Sequence, residues 1–185
     1  RELGKHMRNQ NRPPHVTKLE ESIELAPKLT AFYNKLKAGQ NLDAERKELK
    51  EVFAQLKADA ILLKEKGDKK LIEQIHYWLD NTVDQMNALE ALLTATEGLA
   101  ENNSAKVWDN YYAGLKHYDQ SISYAFFYVD HYERAEFGVQ HIRPFINNLK
   151  EYLATHIQTM LHPDKLVTTF ITNRAGAEGG LEEVT

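Results

Sequence analysis

Between residues 19 and 163 the apolar positions recur at intervals of three and four, the period of an α-helix. Leu29, Phe32, Tyr33 and Leu36 share one face of a first helix, which Pro27 opens, which runs to Lys37 and which Gly39 stops. Leu49, Val52, Phe53, Leu56, Ala60 and Leu63 mark a second, with Asp43 placed to cap it and Gly67 to end it. Asp68 is placed to cap a third, whose Ile72, Ile75, Leu79, Met86, Leu89 and Leu93 run to about residue 97. A polar loop at 101–104 leads into a fourth helix, about 104–132. A fifth, roughly 140–162, carries Ile142, Phe145, Ile146, Leu149, Leu153, Ile157 and Leu161 on one side. Pro144 falls in its first turn or kinks it. The connections are short, so neighbouring helices are expected to run antiparallel. The pattern predicts an all-α antiparallel bundle of about five helices over residues 19–163.

The flanks differ. Residues 1–18 are polar, with Pro13 and Pro14, and read as a non-helical linker or arm. Residues 164–185 hold one short β-like run, Val167 to Ile171, followed by a glycine-rich stretch. A lone strand leaves its backbone groups unpaired, so this extended tail is expected to be the truncated start of a following β-domain. With Arg at position 1 and no secretion leader, the expectation is an internal piece of a longer polypeptide.

Composition narrows the chemistry. Of the 185 residues 42% are hydrophobic and 27% charged, a globular balance. There is no cysteine, which excludes disulfides, thiolate metal sites and cysteine nucleophiles. The net charge of −4 supplies no bulk basic field for nucleic acid. Apolar runs such as Ala60 to Leu63 fall far short of the ~20 residues a membrane span needs.

Glu73 and His76 have the Glu-x-x-His spacing that di-iron bundles use, but such a site needs the motif twice and the chain has it once. No metal and no cofactor is therefore expected. The glycines at 176, 179 and 180 do not fit a dinucleotide loop, and nucleophile elbows and phosphate loops are lacking. The alternating charges between Lys64 and Lys70 suit a solvated turn. His76 with Glu73, or His117 with Asp119, are the only pairs that suggest catalysis, and no catalytic residue is assigned.

The fourth helix is aromatic on more than one face, with Trp108, Tyr111, Tyr112, Tyr118, Tyr124, Phe126, Phe127, Tyr128 and Tyr132. That pattern suits a central helix touched on several sides, a contact surface for a domain or subunit, or a platform for a sugar ring.

The run from Ile23 to Gly39 resembles the entry helix of the helical domain behind the catalytic barrel in bacterial glycoside hydrolase family 84. The stretches Phe53 to Leu63 and Lys70 to Leu79 are similar to that family's "ala-asp-x-leu-leu" and "pro-leu-ile-x-glu-ile-x-pro-trp" phrases. Trp78 is kept, while Tyr77 stands where the family often has proline. Val139 to Ile146 is similar to the last helix's opening. Asn173, Arg174 and Gly176 in the tail resemble the start of a discoidin-like carbohydrate-binding module.

The resemblance implies a parent that removes β-linked N-acetylglucosamine with help from an adjacent Asp-Asp pair. No two aspartates are adjacent here, so the catalytic residues are expected upstream. The expected role is a non-catalytic helical spacer in a larger secreted or periplasmic β-N-acetylglucosaminidase, O-GlcNAcase or hyaluronidase-like. Its partners would be the upstream barrel and the downstream module. A homodimer is also implied, because the animal stalk resembles a dimer element. Arg8, Arg12 and His15 of the arm, with Trp108, Tyr112, Phe127 and Tyr132, are the expected contact residues. The alternative is a stand-alone bundle that binds a carbohydrate or a partner protein through the aromatic helix.

Overall fold

A computed structural model describes residues 25–128, 139–158 and 160, with 124–128 and 139–141 described as backbone only. The arm at 1–18, with Arg8, Arg12 and His15, lies outside the described residues. So do Tyr132, the tail at 164–185 and the side chain of Phe127. The described residues form an all-α bundle of five helices: α1 (Ala26–Lys37), α2 (Asp43–Lys66), α3 (Lys69–Ala100), α4 (Ser104–Tyr128) and α5 (Val139–Ile157).

The helix boundaries follow local chemistry. Pro27 lies in the first turn of α1, where its missing N–H costs nothing. Gly39 takes a φ of +71° and the following amides fold back onto the last carbonyls of α1, a conformation glycine adopts without steric penalty. The Asp68 side chain accepts the Leu71 N–H at 3.1 Å and caps α3 as expected. Asp43 does not cap α2. It is that helix's first residue, Leu42 holds the cap position, and the Asn41 side chain accepts the Asp43 N–H at 3.0 Å. From the first turn the Asp43 carboxylate instead meets Arg46 and the positive helix end. Pro144 lies within α5 beyond its first turn. That helix ends at Ile157, short of the expected 162, and in the turn after it the Met160 N–H donates to the Ile157 carbonyl.

Cross-helix contacts set the pairing. Lys64 meets Asp80 while Lys50 meets Glu97, so α2 and α3 run antiparallel. Glu97 meets Lys106 while Asp84 meets His117, so α3 and α4 do likewise. The centre of the bundle is α3, which packs on α2, α4 and α5. Sixteen of its 32 residues are buried, on nearly every side between Ile75 and Gly98. This differs from the expected apolar stripe and from the reading of α4 as the central helix. Small residues on α3 (Ala88, Ala91, Ala95 and Gly98) let neighbouring helices come close on several sides. A single apolar core joins Leu29 and Phe32 of α1, Phe53 of α2, Trp78 and Leu89 of α3, Tyr118 of α4 and Phe145 of α5. Within it the Phe145 ring lies 6.0 Å from Phe32, edge to face, and 6.5 Å from Phe53.

Candidate functional site

Val107, Gly114, Tyr118 and Ser121 turn the inner face of α4 to the core. The opposite side carries Trp108 and Tyr112, one helical turn apart with ring centroids 5.6 Å apart. Tyr112 is 46% exposed and is one of two large hydrophobic side chains left open among the described residues. Trp108 is half-buried, its indole N–H donating to the Met160 carbonyl at 2.9 Å. Tyr111 meets Tyr112 edge to face, and burial pushes its phenol upward in pKa. The aromatic helix is therefore divided, with Tyr118 in the core and Trp108 and Tyr112 on a surface patch. The structure brings together these two of the seven expected contact residues. The other five fall outside the described side chains.

Met160 also borders a cleft of about 340 Å³ where α1, α3 and α5 end. Two helix-stopping turns form its rim, with Gly39 and Gln40 after α1 and Asn102 after α3. Asn102 has a φ of 53°, a left-handed value that asparagine tolerates better than most residues. Arg46 lines the cleft at only 4% exposure. Its Nε donates to Thr96 Oγ1 at 3.0 Å and its Nη1 to Asp43 at 3.2 Å. On another wall the Tyr152 and His156 rings stack with centroids 4.0 Å apart. Burial pushes the Tyr152 phenol up in pKa, with Tyr33 adding to it. No sequence pattern marks this site, because its residues are spread from α1 to α5 and only Gly39 is legible as a turn.

Beside it an ion cluster ties three helices. Glu97 accepts from Lys106 at 2.8 Å and from Lys50 at 3.3 Å, and Lys106 also reaches Glu101 at 3.1 Å. The Lys106 hydrogen bond, against a smaller opposing effect of burial, holds the Glu97 carboxyl down to about 2. A carboxylate depressed on folding stabilises the fold above its unfolded pKa and loses that contribution as pH falls through the folded value. Acid titration of stability is therefore expected to show a Glu97 component lost between about pH 4.5 and about pH 2. Glu97→Gln should flatten that limb, by no more than about 1 kcal/mol because the groups are partly exposed. Urea midpoints measured across that range check it.

Neither of the two pairs weighed for catalysis forms a side-chain pair. His76 bonds through Nδ1 to the backbone carbonyl of Glu73 at 3.1 Å and not to its carboxylate. His117 faces Asp84 of α3 at 3.5 Å, while Asp119 is exposed. Burial raises the Asp84 carboxyl in pKa, with His117 opposing. Asn81 donates to the Ser121 carbonyl in the same seam. The Asn81 Oδ1 and Gln85 Nε2 atoms there have no partner among the described residues. Among the described residues no group of three His, Asp or Glu is placed to hold a metal ion.

No protein-family model matches the chain, and the comparison with curated proteins finds no match.

Proposed function

We propose that this chain is the non-catalytic helical spacer and interaction domain of a larger bacterial β-N-acetylglucosaminidase, O-GlcNAcase or hyaluronidase-like, secreted or periplasmic. It joins an upstream catalytic barrel to a downstream carbohydrate-binding module. The observation that carries this reading is the continuity of the core, which contains side chains from all five helices. Such a body resists bending, because moving one helix exposes apolar surface on its neighbours. A stiff connector fixes the separation of the domains it joins, and with it the effective concentration of a tethered binding module.

The residues behind the family resemblance support the same reading. Phe53, Leu56, Ala60 and Leu63 of the first phrase are core residues on α2, and Ile75, Trp78 and Leu79 of the second are core residues on α3. The likeness thus rests on positions that dictate the bundle's packing.

Hydrolysis of a chromogenic β-N-acetylglucosaminide, by the isolated chain and by the full natural polypeptide, tests the proposal. Activity in the long form alone is the expected result. Activity in neither would overturn the family assignment, and activity in the short form would overturn the non-catalytic role.

One observation favours a second reading, a bundle that binds a carbohydrate or a partner protein through α4. Tyr112 is open beside the half-buried Trp108, and the two rings together form an aromatic patch at the surface of α4. Tyr112→Ala should leave the helices intact by circular dichroism, since the ring is exposed, and should weaken capture of the isolated chain on a carbohydrate array.

A further inference from the structure

We infer that the cleft between the ends of α1, α3 and α5 is a binding site for a single neutral pyranose ring. Its volume, about 340 Å³, lies at the small end of ligand pockets, which run from about 300 to 1,000 Å³, so it suits one ring and not an extended chain. The polar groups around it are of the planar kind. The Gln40 and Asn102 amides each offer donors and an acceptor, and the Arg46 guanidinium offers donors in a fixed fork.

Arg46 is held in place before any ligand arrives. Among the described residues its bonds to Thr96 and Asp43 use two of its five N–H groups, in a side chain almost wholly removed from water. The stacked Tyr152 and His156 add a flat wall. A pyranose matches that set, with hydroxyls that both give and receive hydrogen bonds round its rim and C–H faces that lie against rings.

Charge argues for a neutral ligand. No carboxylate lines the cleft among the described residues, which disfavours a cation. The C-terminal ends of α1, α3 and α5 meet the N-terminal end of α2 at the cleft, so the helix dipoles oppose one another there, and the Arg46 charge is already paired with Asp43, which leaves little net field to hold an anion. The site is distinct from the Trp108 and Tyr112 patch. It stands on the cleft's own groups and does not depend on the spacer reading.

The test is titration of the chain with methyl β-N-acetylglucosaminide and, separately, methyl β-glucoside, followed by NMR of the Gln40 and Asn102 side-chain amides and the Tyr152 ring. Saturable shifts at these groups with either glycoside are expected. Gln40→Ala, at an exposed position that the fold does not need, should weaken binding about fivefold, the loss of roughly one hydrogen bond. Tyr152→Ala should abolish it while circular dichroism reports the helices intact. If Tyr152→Ala unfolds, Gln40→Ala decides alone. No saturable shift, the same shifts with glycerol, a response only to sodium sulfate, or shifts centred on Trp108 and Tyr112 would each overturn the proposal.

Discussion

Trp78→Ala is expected to lower the unfolding free energy by about 3–5 kcal/mol. Trp78 is 1% exposed and heads the fully buried side chains by size, at the start of the most enclosed part of α3. Its removal takes the largest single apolar group out of the core and leaves a space that the surrounding side chains fill only in part. Against a total stability of about 5–15 kcal/mol for a domain, that is a third or more of the margin. Urea denaturation followed by circular dichroism would show the midpoint fall with little change in slope. A midpoint within experimental scatter of the parent would mean that α3 is not the centre of the bundle.

A substitution that adds atoms should cost nearly as much. At Gly114 a Cβ would lie 2.6 Å from Cδ2 and 2.7 Å from Cγ of Leu92, which is itself wholly buried on α3. Leu92 is wholly buried, so either its side chain repacks against its neighbours or α3 and α4 move apart. Gly114→Ala sets an overpacking cost of about 1–3 kcal/mol against a helix-propensity gain of about 1 kcal/mol. Gly114→Val adds a second branch without that full gain and should lose about 3 kcal/mol. Thermal unfolding of the two variants beside the parent checks the order, valine below alanine below glycine. Equal midpoints for glycine and valine would show that the helices are not in close contact there.

How the sequence reveals this fold differs from place to place. Five helices were legible because burying one face requires apolar residues every three or four positions, and Leu29, Leu49, Ile75 and Leu149 keep that step. Gly39, Gly67 and Asp68 were legible for a different reason, since their effect on the backbone is local. The central place of α3 was not legible. Asn81, Gln85 and Asp84 break the apolar pattern yet are buried, and the partners that Asn81 and Asp84 find across the α3–α4 seam, Ser121 and His117, lie 40 and 33 positions away in the chain. Arg46 was hidden for the same reason, as Thr96 receives its Nε across 50 positions. Aromatic density singled out α4, but density alone does not separate an inward Tyr118 from an outward Tyr112.

The proposed spacer role is tested most directly by the distance between the two flanking domains that the proposal places in the full natural polypeptide. Spin labels can be placed on introduced cysteines in those two domains, since this chain has no cysteine of its own to compete for them. Pulsed dipolar spectroscopy is expected to give one narrow distance distribution, unchanged when ligand saturates the catalytic barrel. A distribution as broad as a disordered linker of the same length gives would contradict the account.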